Sequence, residues 1–203
     1  MEQKTISQRL DFHDMATLFS SFGFRVVLLG AIFLAIVQDS TAQAFMTRTG
    51  HAEFKSRVPF FSFTGVSDDL VGVINLADST VDFYLDLTTL KTGIGKRDKD
   101  MRLTLETKEY PFAEFYGKIV SLFYRDSEKS QVIQVNGTFT IHGVSREITV
   151  TASLQRQGED LYASASWKLN LNDYNIKPPR LLMVKVDEIQ ELGVTGRLNP
   201  VSN

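Results

Sequence analysis

The sequence predicts an all-β protein: an antiparallel up-and-down barrel of about eight strands, lipocalin-like in outline, with one short helix. Apolar and polar residues alternate through most of the chain after residue 44, as expected of strands that bury one face. Glycine-containing turns separate consecutive alternating segments, which indicates antiparallel hairpins. No crossover pattern interrupts the strands, so a closed barrel without exposed edges is favoured over a sandwich.

The N-terminal segment is typical of an export signal. Val26–Val37 is an uninterrupted apolar run of twelve residues, which is short for a membrane-spanning helix of about 20 residues. Arg25 precedes this run, and the small-x-small triplet Ala42–Ala44 follows it. This order of a basic residue, a short apolar run and a small-x-small triplet predicts a signal peptide over residues 1–44, cut near Ala44, with no permanent membrane anchor. The alternatives are an uncleaved anchor and a buried helix.

The start of translation has two alternatives, Met1 and Met15. From Met15, Arg25 is the only charged residue before the apolar run, as expected of a signal peptide. Either start leaves a mature barrel domain over residues 45–203, which is expected to be periplasmic or secreted. The chain has no cysteine, so this domain has no disulfide and no cysteine-linked lipid anchor.

The strands of this barrel differ in how clearly they alternate. Five segments alternate strongly: Thr80–Leu87, Ala113–Ile119, Ile133–Ile141, Glu147–Leu154 and Leu161–Leu169. Three weaker segments lie around Ala52–Val58, Leu70–Leu76 and Val184–Val194. Together they predict roughly eight strands, each about half polar by position.

Turns and one helix connect the predicted strands. His142–Val144 and Gln157–Glu159 are expected to form tight hairpin turns because each has a glycine between alternating segments. Lys96–Thr107 is the predicted helix, with Asp98 as its N-cap. Three apolar residues of this helix are available for packing: Met101, Leu103 and Leu105.

The inward face of such a barrel allows two interpretations, since eight strands enclose either a filled core or room for one small ligand. Small residues favour a cavity unless neighbouring rings lean across them: Gly72, Gly117, Gly137, Ala152, Ala163 and Ala165. The inward positions carry no convergent charge, so a ligand there is expected to be long and apolar. The candidate ligand-binding residues are Phe83, Leu85, Phe115, Ile119, Phe139, Ile141, Val150, Leu161, Ala163 and Trp167.

Residues suited to catalysis or metal binding are scarce. A net charge of −2 provides no basic excess for nucleic acid. Only His51 and His142 follow the apolar run, neither has metal-ligand spacing, and no HExxH or G-x-S-x-G motif occurs. Asp98 and Asp100 could bind a cation but more simply favour a helix start. We expect no metal, cofactor or catalytic residue; an enzyme using Asp98 or His142 is the remaining alternative.

One segment resembles a known family. Residues 135–150 read VNGTFTIHGVSREITV, similar to the YceI-like signature G-x-L-T-I-H-G-V-[ST] followed by an alternating strand. The loop at Thr92–Gly93, the pair Arg97–Asp98 and the strand entry Tyr110–Pro111 resemble further family elements in the same order. The resemblance covers residues 50–198 and implies an exported lipocalin-like barrel. Some family members hold a polyisoprenoid chain inside the barrel, which implies binding or transport rather than turnover.

The leading hypothesis is therefore an exported carrier that holds a long apolar molecule, such as an isoprenoid lipid. The alternative is a non-catalytic structural or stress-related interaction protein whose barrel core is filled. The expected partner is a long-chain apolar small molecule and not a nucleic acid, and a homodimer is compatible with the sequence.

Overall fold

The computed structural model describes residues 44–59, 61–181 and 184–201. The predicted export run Val26–Val37 lies outside the described residues. Ten strands are present in the described residues: β1 Ala44–Val58, β2 Phe61–Asn75, β3 Thr80–Asp86, β4 Phe112–Ile119, β5 Gln131–Ile141, β6 Val144–Gln157, β7 Asp160–Asn170, β8 Arg180–Leu181, β9 Val184–Lys185 and β10 Ile189–Pro200. Helix α1 spans Gly95–Thr104, and two 3-10 turns span Leu87–Thr89 and Leu171–Tyr174.

Eight of these strands form a closed antiparallel barrel, which confirms the predicted fold class. Strands β1 to β7 pair consecutively, and β10 pairs with both β7 and β1 to complete the ring. Closure leaves no unpaired edge in this sheet. The short β8–β9 ladder lies in the connection between β7 and β10. No helix among the described residues is long and apolar enough to cross a membrane.

Strands β1 and β2 are about twice as long as the weak alternation predicted. Their register shifts between Thr47 and Gly50 and again between Gly50 and Ala52. Such bulges insert extra residues and interrupt the period of two, so the sequence pattern fades before the strand ends. The predicted strand around Val184–Val194 is likewise two elements, β9 and the first half of β10.

Both predicted hairpin turns are confirmed. Ile141 pairs with Val144 across the two turn residues His142 and Gly143, whose φ angles are 55° and 69°. Two consecutive positive φ angles are the requirement of the type I′ turn that matches the twist of antiparallel strands. Gly158 takes a φ of 61° in the β6–β7 turn.

Helix α1 is confirmed, but its predicted N-cap is wrong. The Asp98 amide already donates to the Ile94 carbonyl, so Asp98 lies inside the first turn and Ile94 occupies the cap position. The Asp98 carboxylate instead accepts from the Thr92 amide at 2.7 Å and the Thr92 hydroxyl at 2.6 Å. Met101 and Leu105 pack on the barrel core, whereas Leu103 is 64% exposed.

The two ends of the barrel are built differently. We call one end the floor: five buried side chains from β1, β4, β7, β10 and the residue after β2 pack together there, namely Phe45, Leu76, Ile119, Leu161 and Leu198. We call the opposite end the mouth; α1 connects β3 to β4 there, and the 3-10 turn Leu171–Tyr174 follows β7. The space between floor and mouth is the candidate site.

Candidate functional site

The barrel encloses a cavity of about 580 Å³, lined by side chains from all eight barrel strands and from α1. Most of these side chains are aliphatic or aromatic. The volume lies within the range of roughly 300–1,000 Å³ that is usual for small-molecule sites. The lining includes partly exposed residues of α1, such as Arg97, so the cavity reaches the surface at the mouth.

The floor closes the cavity at the other end. Phe45 and Leu198 are both fully buried, and none of the five floor residues lines the cavity. Two predicted ligand-binding residues, Ile119 and Leu161, belong to the floor. Their side chains pack against other core residues, so the structure does not place them on the cavity wall. The inward alternation predicted their burial but could not distinguish floor from wall.

The structure brings the other eight predicted ligand-binding residues together around one space. All eight line the cavity: Phe83, Leu85, Phe115, Phe139, Ile141, Val150, Ala163 and Trp167. Two of them also contact each other, since the rings of Phe139 and Trp167 pack edge to face with centroids 5.7 Å apart. Their contact with a ligand stays a prediction.

The glycines that suggested a cavity do not create it. A Cβ atom on Gly72 would lie 1.9 Å from Cδ1 of Phe83, because that ring leans across the glycine. Gly117 and Gly137 pair directly across β4 and β5, and the Phe115 ring covers both. At these three glycines the stated exception applies, since neighbouring aromatic rings lean across and occupy the space that each glycine leaves.

The predicted alanines, by contrast, do face the cavity. Ala152, Ala163 and Ala165 all contribute to its lining. Ala152 pairs with Ala165 and Leu154 pairs with Ala163 across β6 and β7, so the three methyl groups are neighbours on one stretch of wall. Short side chains on this wall leave room that the aromatic rings on β3, β4 and β5 do not fill. We call this surface the alanine wall.

Helix α1 partly covers the mouth. The Arg97 guanidinium lies over the Phe63 ring, 4.4 Å from its centroid, and both side chains line the cavity. The Asp98 carboxylate does not line the cavity but holds the preceding loop to the helix through Thr92. The hydrogen bonds from the Thr92 side chain and amide lower the pKa of Asp98 below its ordinary value.

Two residues that line the cavity each carry a fully buried polar atom with no hydrogen-bond partner among the described residues: Ser56 Oγ and Trp167 Nε1. Ser56 is only 1% exposed. Ser56 is not among the predicted ligand-binding residues, all of which are apolar. Its inward position could have been predicted from the alternation of Ala52, Phe54, Ser56 and Val58, which places the hydroxyl on the apolar face of β1.

The residues considered for catalysis lie apart from the cavity. Neither Asp98 nor His142 contributes to its lining. His142 is the predicted turn residue, but its ring is packed rather than at the surface, with 12% of the side chain exposed. Its Nδ1 lies 3.1 Å from the Tyr174 carbonyl, and its Nε2 lies 3.1 Å from Glu106 Oε2. Within the described residues, no group of three or more acidic, His or Cys side chains could hold a metal ion.

Known proteins resemble this chain in both sequence and structure. A UPF0312 protein of Pseudomonas putida is 30% identical over 173 residues, covering 77% of this chain and 88% of that protein. The protein YceI of Escherichia coli is 31% identical over 111 residues, covering 51% of this chain. That second match spans about half of the Escherichia coli protein, or 55% of its length.

Two solved structures share the fold. A polyisoprenoid binding domain from Saccharophagus degradans superposes with a TM-score of 0.69 at 18% identity, covering 79% of this chain and 99% of that domain. BcnA of Burkholderia cenocepacia superposes with a TM-score of 0.61 at 13% identity, covering 73% of this chain and 95% of BcnA. At these identities the likeness shows the barrel fold alone.

The family model described as a YceI-like domain matches residues 38–195, most of the chain and nearly all of the barrel. The match includes the β5–β6 hairpin with the I-H-G-V turn, helix α1 and at least part of every barrel strand. This chain therefore belongs to the YceI-like family.

Proposed function

We propose that this protein is an exported carrier that holds one long apolar molecule, such as an isoprenoid lipid, inside the barrel. The observation that carries the proposal is the apolar cavity, which is closed by the floor and partly covered by α1 at the mouth. The proposal is one of binding rather than turnover.

The shape of the cavity favours an elongated ligand. On β5 alone the lining runs from Ile133, near the floor, to Ile141, near the mouth. Eight residue steps at about 3.3 Å each span roughly 26 Å along the strand, or about 20 Å along the barrel axis after the usual strand tilt. Each 100 Å² of apolar ligand surface buried there contributes about 2.5 kcal/mol before ordering costs.

The comparisons support isoprenoid chemistry in particular. The Saccharophagus degradans domain that shares this fold is described as polyisoprenoid binding. Repeated methyl branches suit a wall on which alanines alternate with larger side chains, because branches can seat where the wall is recessed. The alanine wall supplies such recesses at Ala152, Ala163 and Ala165.

The proposed export is compatible with where the barrel starts. Strand β1 begins at Ala44, the last residue of the predicted signal peptide. Cleavage after Ala44 retains Phe45, whose buried ring helps to close the floor. Sequencing the N-terminus of the periplasmic protein should therefore yield Phe45. An Ala44→Leu variant should accumulate as precursor, whereas Gln43→Leu, at the unrestricted middle position, should be processed normally.

The carrier proposal is tested by what the protein retains on purification. Protein isolated from cells without detergent is extracted with organic solvent, and the extract is analysed by mass spectrometry. A long-chain apolar compound should recur in near-stoichiometric amount in independent preparations. The Ala163→Trp variant, which places an indole ring in the cavity, is the matched control and should yield less of it. Repeated recovery of no lipid from the unmodified protein would refute the carrier proposal and favour the interaction-protein alternative.

A further inference from the structure

Helix α1 has one face against the barrel and another in solvent. Met101 and Leu105 pack on the barrel core. Lys96, Lys99 and Leu103 follow one another at spacings of three and four residues, so they share a different face of the helix. Both lysines are exposed, and Leu103 is 64% exposed. This face, which we call the outer face of α1, combines two cations with an unburied leucine side chain.

The mouth exposes two further apolar side chains. Ile94, at the cap position of α1, is 49% exposed, and Phe61, the first residue of β2, is 53% exposed. Phe61 pairs with Val58 at the end of β1, and β1 starts at the floor with Phe45, so this pair lies at the mouth. Single exposed apolar residues are normal, but several around one opening favour contact with an apolar partner.

Basic residues are concentrated around the same opening. Residues 91–102 contain five basic residues and two acidic ones, whereas the whole chain has a net charge of −2. Asp98 is bonded to the loop before the helix, and Asp100 is half-buried and lines the cavity. Lys96 and Lys99 form no salt bridge with any residue that the structure describes. Their charge is therefore available to an anionic partner.

The floor end also exposes apolar side chains but lacks this excess of charge. Leu122, in the β4–β5 connection, is 98% exposed, and Val132, near the start of β5, is 74% exposed. The connection, residues 120–130, contains two basic and two acidic residues. Its charges cancel, so this surface has no electrostatic preference for an anionic partner. Of the two ends, the mouth is the one that combines apolar exposure with positive charge.

We propose that the mouth docks on an anionic lipid bilayer, with Lys96 and Lys99 against the lipid phosphates and Leu103 and Ile94 inserted between the headgroups. Lysines near an anionic membrane are attracted to its surface, and apolar residues on the same helix enter the boundary between headgroups and acyl chains. The inference goes beyond the proposed function, because it identifies an interaction surface rather than a cargo. Docking in this way brings the opening of the cavity against the bilayer.

Binding of the purified protein to vesicles tests this surface. Co-sedimentation is measured with vesicles of equal parts phosphatidylethanolamine and phosphatidylglycerol, and with vesicles of phosphatidylcholine alone. The protein should bind the anionic vesicles, release them at high salt because added ions screen the attraction, and bind the neutral vesicles little. Combining Lys96→Gln with Lys99→Gln should weaken binding about 25-fold, since each lysine near an anionic surface contributes about fivefold.

The matched control combines Lys118→Gln with Lys129→Gln. These exposed lysines lie toward the floor, at the end of β4 and in the β4–β5 connection, so the control removes the same charge from the opposite end of the barrel. It should leave vesicle binding close to that of the unmodified protein. Equal loss from the two pairs would overturn the proposal, because it would show attraction by net charge rather than docking by the mouth.

Insertion of Leu103 is measured by site-specific fluorescence. The chain contains no cysteine, so Leu103→Cys and Leu122→Cys each provide a single site for a nitrobenzoxadiazole dye. Anionic vesicles should brighten the dye and shift its emission to the blue at the Leu103 position, as expected on leaving water, and should leave the dye at the Leu122 position unchanged.

Two outcomes of the fluorescence experiment would contradict membrane docking by the mouth. A response at the Leu122 position without one at the Leu103 position would place the bilayer at the floor. No response at either position, together with no co-sedimentation, would exclude docking on this bilayer. The carrier proposal is decided separately by the lipid recovered on purification, so either proposal can fail while the other holds.

Discussion

At the scale of single residues, Ser56 shows how a buried polar side chain can work against stability. A buried hydroxyl without a partner is expected to destabilise a fold by about 1–3 kcal/mol, because its bonds to water in the unfolded chain are not replaced. The Ser56 side chain is nearly fully buried and unpaired among the described residues.

Replacing Ser56 with alanine is therefore expected to stabilise the ligand-free protein. We expect Ser56→Ala to raise the free energy of unfolding by about 1 kcal/mol, since it removes an unsatisfied polar group from an apolar wall. Urea denaturation of delipidated protein measures this change. The matched control is Ser67→Ala, which removes a buried hydroxyl bonded to Thr89 and should destabilise by about 1 kcal/mol. Destabilisation by both substitutions would show that Ser56 is satisfied in solution.

Residue-level prediction from the sequence succeeded where alternation alone decides the outcome. The inward placement of Phe83, Phe139 and Trp167 follows from the period of two, and all three line the cavity. The sequence alone could not predict where empty space lies, because the side chains of neighbouring strands determine whether a small residue leaves a void. Whether Gly72 leaves a void depends on the rotamer of Phe83 on the paired strand, and a linear pattern contains no information on rotamers across strands.

At the scale of elements, α1 is attached to the barrel by few interactions. None of its residues is fully buried, and its start is held through the Asp98 carboxylate and Thr92. Few buried apolar contacts place an element at the low end of local stability. Because α1 partly covers the mouth, its local stability is expected to influence how fast a ligand exchanges.

The Thr92–Asp98 interaction should make α1 sensitive to acid. The pKa of Asp98 is lowered from 3.8 by the hydrogen bonds from Thr92, so their stabilisation is complete above about pH 5 and lost as pH falls through the lowered pKa. At neutral pH, Asp98→Ala should increase hydrogen exchange of α1 amides by about two- to fivefold, leaving β5 amides unchanged. Once the pH has fallen below the lowered pKa of Asp98, the variant and the unmodified protein should converge.

The control for this prediction is Asp100→Ala, which removes the same charge from the same helix without touching the bond to Thr92. It should leave the exchange of the first helical turn near that of the unmodified protein. Equal acceleration by both substitutions would assign the effect to helix charge rather than to the Thr92–Asp98 interaction.

Two successive inward positions of β7 lie in different parts of the barrel interior. Ala163 lines the cavity, whereas Leu161, two residues away on the same face of β7, is packed in the floor. Ala163→Trp should destabilise by less than about 1 kcal/mol while reducing ligand affinity at least tenfold, because the new ring occupies existing space. Leu161→Trp should destabilise by about 1–3 kcal/mol or more through overpacking. Thermal unfolding and displacement of a fluorescent fatty-acid analogue measure both effects, and similar destabilisation by the two would indicate a filled core.

Element-level prediction was accurate for the hairpins and incomplete for the bulged strands. The turn at His142–Gly143 is encoded locally, because a residue tolerant of positive φ followed by glycine specifies a type I′ turn between alternating strands. The extent of β1 is not encoded locally. Its bulges near Gly50 become evident only once β2 is placed beside it. The N-cap was missed for a local reason, because the Asp98 carboxylate accepts from Thr92 in the preceding loop instead of capping the helix.

At the scale of the whole molecule, closure of the sheet explains how the barrel remains folded around unfilled space. Every barrel strand has two hydrogen-bonded neighbours, so the walls do not depend on side chains meeting across the interior. The floor supplies a packed apolar cluster that includes Phe45 near the start of β1 and Leu198 near the end of β10. The part of the interior that is not needed for packing is then free to serve binding.

Because the floor and the closed sheet hold the barrel together, we expect a bound ligand to add measurably to stability without being required for folding. A ligand at about 100 times its dissociation constant adds about 2.7 kcal/mol to the free energy of unfolding, which corresponds to an increase in Tm of roughly 5–10 °C for a domain of this size. Delipidated protein should therefore remain folded by circular dichroism but melt at a lower temperature, and refilling with its extracted lipid should restore the original Tm. Ala163→Trp should show a smaller shift, because the new indole ring occupies part of the cavity. Identical melting of the delipidated and refilled unmodified protein would mean that no ligand is held inside the barrel.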